Sequence, residues 1–321
     1  MQREILRPIT HEEIETYRHE GVVCLRGVVD KGWLDYLAQP IEDLMERPEG
    51  VDVTAAVKGL RARMNDDGIV HDPLFGEVRR DDLLEDDVES SEHAKFFNFT
   101  HVNPLSEPIR IFETQSMLPE IAAVLMGSER IHLFIDQVFV KEPGTPTRTA
   151  FHVDESYFNL TGEQICTMWV PLDPATKESS TMGYIQGSHT WSERYAPNNF
   201  ITQKRFSFRE NGDTTLSERV ALPDVEGHPD DFNIVYFDVD PGDVIVHHYR
   251  VVHGSGGNTS MSRRRRALSV RYTGDDANWG PMPHAGERLP HTLIEGDSLA
   301  GAENVFPMCW PSGVPTAAGT T

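Results

Sequence analysis

The stretch Phe151-His152-Val153-Asp154 sets an imidazole and a carboxylate two residues apart. On an extended chain residues i and i+2 point to the same side, so His152 and Asp154 can hold one metal ion between them. A third ligand must come from elsewhere, and residues 241–256 offer His247, His248 and His253. Two imidazoles and one carboxylate on one face of an ion leave the opposite face open. That arrangement suits non-haem Fe(II), which needs free positions for a co-substrate and O2. A lone His-x-Asp arises by chance in many chains. Here it stands at the start of a strand-rich region, with a His downstream and arginines a dozen residues beyond.

Those arginines lie in Ser262-Arg263-Arg264-Arg265-Arg266-Ala267-Leu268-Ser269. On a strand, Arg263, Arg265 and Ala267 share one face, and Arg264, Arg266 and Leu268 the other. One inward guanidinium can grip a carboxylate through two parallel hydrogen bonds. The other reading is a solvated basic patch, but the flanking Ala-Leu-Ser-Val-Arg-Tyr favours a strand.

The elements that must position these groups follow from local pattern. Thr10 and Glu13 form a capping box opening a helix that Gly21 ends. Residues 22–25 read as a strand. Asp30 can cap a second helix carrying Trp33, Leu34, Leu37, Ile41 and Leu44 at helical spacing, with Pro48 as its stop. Residues 49–95 are rich in Asp, Glu and Arg with weak periodicity, which suggests a surface insertion serving as spacer or lid. Residues 109–126 read as one helix closed by Gly127. From there the period changes to two, with candidate strands at 131–141, 149–153, 164–172, 181–185, 233–237, 243–248 and 264–272 separated by Gly/Pro clusters. Many short strands after N-terminal helices predict a mainly β fold with flanking helices and a jelly-roll core.

Several pieces in order resemble the phytanoyl-CoA dioxygenase family of Fe(II)/2-oxoglutarate oxygenases. They are Phe151–Asp154, Trp169-Val-Pro-Leu-Asp173, Glu178 through His189, Pro241-Gly-Asp243, and His253-Gly-Ser-Gly-Gly-Asn258 followed by Arg265-Arg-Ala267. The opening, residues 9–29, is similar as well. The likeness covers roughly 9–45 and 105–273, and it departs at Ser179-Ser180, where the family has Asn-Gly. It implies a single oxygenase domain on a cupin-like double-stranded β-helix. Residues 1–130 would be helical support with the variable insertion 49–95, 131–273 the core and 274–321 a C-terminal extension.

The resemblance implies roles. His152, Asp154 and His253 would ligate Fe(II). Arg265 would bind the distal carboxylate of 2-oxoglutarate, with Ser255 beside it and Gln137 and Trp169 lining the co-substrate pocket. The implied activity is hydroxylation of an unactivated C–H of a small molecule, with O2 consumed and succinate and CO2 formed. Desaturation, ring formation or epimerisation would use the same ligands. Halogenation would need a small residue in place of Asp154, and a non-catalytic binder would need neither the triad nor Arg265.

Other polar residues have plainer readings. Of His247 and His248, one is expected to face the barrel wall and the reading for the pair is packing; Lys141 either reaches the co-substrate or, more plainly, is a surface residue at a strand end. Tyr157 and Phe158 follow the His-x-Asp and either touch substrate or pack. Arg271 shares the parity of Arg265 and either meets an anionic substrate group or stands exposed. His71, His93, His101, His132, His189, His228, His284 and His291 have no ligand spacing.

Composition narrows the field further. The chain has 321 residues, with 29 Lys and Arg against 51 Asp and Glu, a formal net charge of −22. Such a surface repels nucleic acid and anionic membranes. Cys24, Cys166 and Cys309 are scattered, with no Cys-x-x-Cys pair, so disulfide and cysteine-zinc frameworks are not indicated. That pattern and the lack of an apolar stretch in the first twenty residues point to the cytoplasm. The charge-free stretch 304–321 is broken by Pro307, Pro311 and Pro315 and cannot form a membrane helix.

Overall fold

Caps set the helices that flank the sheet. A computed structural model describes residues 3–72, 76–87, 89–199, 201–202, 219–281 and 292–311. Helix α1 (His11–Glu20) opens on Thr10, whose Oγ1 accepts from the Glu13 N–H while Glu13 accepts from the Thr10 N–H, and it closes on Gly21 at φ 72°. That φ is cheap only for glycine. Helix α2 (Lys31–Met45) opens on Asp30 and buries Trp33, Leu34, Leu37, Ile41 and Leu44. Five such side chains contribute on the order of 10 kcal/mol before entropy is charged against them. Helices α3 (Val53–Ala62), α4 (Glu107–Gln115) and α5 (Leu118–Met126) follow.

Sixteen strands are described. In chain order β1–β5 are Val22–Leu25, Val51–Asp52, Ile69–Asp72, Gly76–Arg79 and Phe96–Thr100. Strands β6–β10 are Ile131–Lys141, Thr149–His152, Leu160–Thr161, Ile165–Pro171 and Gly183–Ile185. Strands β11–β16 are Ile234–Tyr236, Val244–His248, His253–Ser255, Arg265–Thr273, Asn278–Trp279 and Met308–Trp310. The major sheet runs β1-β12-β9-β14-β6-β5-β2, with β16 also on β6; the minor sheet runs β11-β10-β13-β7. Every named pairing is antiparallel, including the small pairs β3–β4 and β8–β15. This is a double-stranded β-helix. Trp169, Ile245 and Ala267 of the major sheet pack with Tyr184 of the minor one, while Val138, Val170, Leu268 and Val270 turn the other way onto the helices.

The pattern of alternation thus located the barrel, but three features differ from expectation. Residues 109–126 form two helices, because Pro119 lacks an N–H and suits only a first turn, so α5 starts afresh after Ser116 and Met117. The N-terminal region is not purely helical support: β1, β2 and β5 extend the major sheet. The acidic insertion has its own small core of Val57, Leu60, Val70 and Val78 around Phe96. It is also tied to the barrel, since Asp86 Oδ2 accepts from the Gly257 N–H at 2.6 Å. His284, His291 and the tail beyond 311 lie outside the described residues. Among the described residues no helix is long and apolar enough to cross a membrane.

Candidate metal centre

Strands β7 and β13 pair so that His152 and His253 are direct cross-strand partners, with ring centroids 4.2 Å apart. Gly254 permits this approach: a Cβ there would lie 2.9 Å from the backbone N of Phe151. Strand β7 ends at His152 and Asp154 begins a 3-10 turn, yet Val153 stays extended (φ −117°, ψ 137°). Asp154 therefore still faces the side that His152 faces. Its Oδ1 lies 3.9 Å from Nε2 of each histidine, and the three ligand atoms lie within 4.8 Å of one another. That cluster can hold one metal ion.

Each imidazole is aimed by its own strand. Nδ1 of His152 lies 2.8 Å from the carbonyl of Ala150, and Nδ1 of His253 lies 2.9 Å from that of Val251. A carbonyl only accepts, so Nδ1 carries the hydrogen and the bare Nε2 points at the ion position. Burial, and then the neighbouring imidazole, push both rings down to a pKa of about 3, keeping them neutral and able to ligate.

The major sheet grips the other oxygen of Asp154. Arg271, Thr167 and His247 are successive register partners across β14, β9 and β12. Thr167 Oγ1 donates to Asp154 Oδ2 at 2.6 Å, and Arg271 Nε and His247 Nε2 each stand 3.6 Å from that oxygen. Burial alone would raise this carboxyl. The Arg271 guanidinium beside it holds it well below the usual carboxylate range instead. One oxygen is thus fixed and charged while the other faces the histidines.

Two of the plainer readings of charge and one of packing are corrected here. Arg271 is buried, with Nη2 donating to Gln137 Oε1 at 3.1 Å and the guanidinium 5.7 Å from the Phe158 ring. Lys141 is fully buried, its Nζ 3.1 Å from Ser255 Oγ and 2.7 Å from the carbonyl of Gly256. Burial pushes its amine well below the usual value, and Arg265 adds to that. His247 does not merely pack: it borders Asp154, and neither ring nitrogen has a hydrogen-bond partner among the described residues. His248 does turn to the wall, with Nε2 2.9 Å from the Glu163 carbonyl.

A narrow cavity runs past these groups and is lined by His152, His253, Trp169, Ser269, Arg265 and Arg271 among others. Arg265 faces into it and is 1% exposed, while Arg264 and Arg266 face out to Glu42, Glu142 and Asp173. Nη2 of Arg265 donates to Ser180 Oγ at 3.3 Å, but its Nε and Nη1 have no hydrogen-bond partner among the described residues. The indole N–H of Trp169 and the hydroxyl of Tyr184 are buried and unpaired as well. Buried donors without acceptors cost free energy, and a dicarboxylate laid along them removes that cost. The donor set therefore fits 2-oxoglutarate. Gln137 is engaged with Arg271 on one side and Asn98 on the other. Tyr157 donates to Asn198 and sets its ring edge-on to His152 at 5.7 Å. Phe158 packs on Phe134 at 5.2 Å.

A double-stranded β-helix with such a mouth defines an iron- and 2-oxoglutarate-dependent oxygenase. The chain belongs to the phytanoyl-CoA dioxygenase (PhyH) family, whose model matches residues 17–267. It is similar to a Stutzerimonas stutzeri protein named "probable alpha-ketoglutarate-dependent hypophosphite dioxygenase", 29% identical over 186 residues, a match covering 56% of each chain. It is also similar to phytanoyl-CoA dioxygenase domain-containing protein 1 of Danio rerio, 22% identical and covering 88% of this chain and 97% of that one. Among solved structures, the epimerase SnoN from nogalamycin biosynthesis, in complex with Fe3+, alpha ketoglutarate and nogalamycin RO, aligns with a TM-score of 0.64 at 21% identity. That alignment covers 93% of this chain and 97% of SnoN. The carbocyclase SnoK aligns with a TM-score of 0.62 at 18% identity, covering 96% and 99%.

Proposed function

We propose that the protein hydroxylates an unactivated C–H of a small molecule, with His152, Asp154 and His253 as the iron ligands. The observation that carries this reading is Asp154, a charged carboxylate held by Thr167 with its free oxygen toward both histidines. It fills the position that a halogenase must leave open for halide. Iron, 2-oxoglutarate and O2 together supply an oxidant that removes a hydrogen atom from the substrate, with succinate and CO2 as co-products.

The chain's own residues bind and orient. Arg265 takes the distal carboxylate of 2-oxoglutarate on Nε and Nη1, with Ser180 fixing the remaining nitrogen. Trp169 flanks that guanidinium at 5.7 Å and offers its indole N–H. Lys141 and Ser255 close the same end. The buried walls exclude water, which keeps these charge-assisted contacts strong.

Substrates are found by screening small molecules for faster succinate formation with Fe(II), then run under 18O2. The expected product carries one 18O atom. A product of unchanged mass would assign epimerisation, and one lighter by two hydrogens would assign desaturation or ring closure; either outcome overturns hydroxylation. A halogenated product in chloride or bromide would overturn the role given to Asp154. Absence of succinate under every condition would leave only a binding protein.

A further inference from the structure

Inside the barrel the charged groups are unequal. Among the described residues Lys141, Arg265 and Arg271 share the cavity-facing side of the sheet; Asp154 is the carboxylate at the metal-ligand end, and Asp86 and Glu226 lie toward Lys141. Arg265 and Arg271 lie on one strand, six residues and about 20 Å apart along it, and both line the cavity that passes the two histidines. Asp136, also buried, is on the opposite face of β6, where it accepts from the Val102 N–H at 2.7 Å. With Asp154 and a divalent ion in place, 2-oxoglutarate supplies one carboxylate to Arg265 and the other to the ion. Arg271 then has only the 3.6 Å approach of Asp154, itself engaged with the ion, and the site keeps one positive charge in surplus even if Lys141 is neutral.

Arg271 is also built as a receptor. Its Nη2 is anchored by Gln137, whose own amide is anchored by Asn98 at 2.7 Å. Phe158 lies beneath the guanidinium at 5.7 Å. Its Nε has no hydrogen-bond partner, standing 3.6 Å from Asp154, and Nη1 has only a 3.4 Å contact with the Ser269 carbonyl. A guanidinium needed only to neutralise Asp154 would close to hydrogen-bond distance. A buried cation with free donors is costly unless an anion meets it.

We infer that the substrate carries an oxyanion group, a carboxylate or a phosphorus oxyacid, seated on Arg271 on the side of the metal ligands away from Arg265. Because Arg271 borders Asp154, the anionic group lies within a few bonds of the reacting C–H. The inference rests on the iron site proposed above, and it makes Arg271 the residue that selects acids over neutral analogues.

Butyrate and ethylphosphonate, with butyramide as the neutral isostere, serve as probes. Each is titrated calorimetrically into protein loaded with Mn(II) and 2-oxoglutarate, and succinate formation is followed separately with Fe(II). The expected result is at least tenfold tighter binding of the acids than of the amide. Arg271→Gln should remove that preference and Arg271→Lys restore part of it, each compared at saturating Mn(II) and 2-oxoglutarate because Arg271 also borders the ligand Asp154. Preference for ethylphosphonate or for butyrate assigns the phosphorus or the carboxylic source. Equal binding of butyramide by the wild type overturns the inference, and this comparison needs no variant to fold. Acids that bind Arg271→Gln, loaded with Mn(II) and 2-oxoglutarate, as tightly as they bind wild type also overturn it. Acid-selective binding without any succinate would instead count against the oxygenase reading alone.

Discussion

Replacing Thr167 with Val keeps the shape of the side chain and removes one donor. That donor makes the 2.6 Å bond to Asp154 Oδ2, and the remaining neighbours, Arg271 Nε and His247 Nε2, stand at 3.6 Å, beyond hydrogen-bond reach. A hydrogen bond to a buried charged group contributes about 1.5–3 kcal/mol. Without it the carboxylate is freer to turn and easier to protonate, and both effects weaken its hold on a cation. The loss converts to about 10- to 150-fold in metal dissociation constant, in line with the roughly 10- to 100-fold typical of groups that support a ligand. The assay is calorimetric titration of Mn(II) into metal-stripped wild type and Thr167→Val, with urea unfolding as the check on the fold. A properly folded variant that binds Mn(II) within twofold of wild type would refute the argument that the major sheet fixes Asp154.

Arg265→Ala should weaken 2-oxoglutarate binding by about 100-fold or more, since losing one partner of a buried pair costs about 3–5 kcal/mol; Arg264→Ala, on the outer face, should leave it within threefold by fluorescence or calorimetric titration. Gly254→Ala puts a Cβ against the Phe151 backbone, so β7 and β13 must part; Mn(II) affinity should fall at least tenfold, and an unchanged value would mean the histidines tolerate the shift. Metal-stripped protein should lose stability on acidification. Burial pushes His152, His253 and His248 down to about 3 when folded, so below about 6.5 the unfolded chain binds more protons and stability falls with pH. Each contributes about 1.4 kcal/mol per pH unit between pH 6.5 and 3. Urea midpoints that stay flat from pH 6.5 to 5 would contradict that sign.

Much of the barrel was legible because its strands alternate between helix-facing and cavity-facing residues. The spacing of His152 and Asp154 and the parity of Arg265 follow from that same period of two. The parity argument also reaches residues it was not applied to: Thr167 lies two before the inward Trp169, so it had to face the carboxylate. What failed was the assumption that charge means surface. Lys141 and Arg271 are buried because the closed barrel brings Lys141 onto Ser255 and the Gly256 carbonyl and Arg271 onto Gln137 and Asp154, partners that only the assembled site supplies. The place of His247 beside Asp154 is not legible from its own strand, because the carboxylate it borders lies about ninety residues earlier in the chain. The break in 109–126 was visible in Pro119 but outweighed by continuous helical periodicity.

His152 and His253 stand next to each other in space and about a hundred residues apart in the chain. Edge strand β1 waits longer still, since Val22 pairs with His247. On a ribosome adding roughly 5–20 residues per second, a nascent chain exposes its His-x-Asp for several seconds with no partner histidine. The gripping row on Oδ2 is completed only when Arg271 has followed. A nascent chain that ends before residue 253 therefore carries the His-x-Asp without its third ligand.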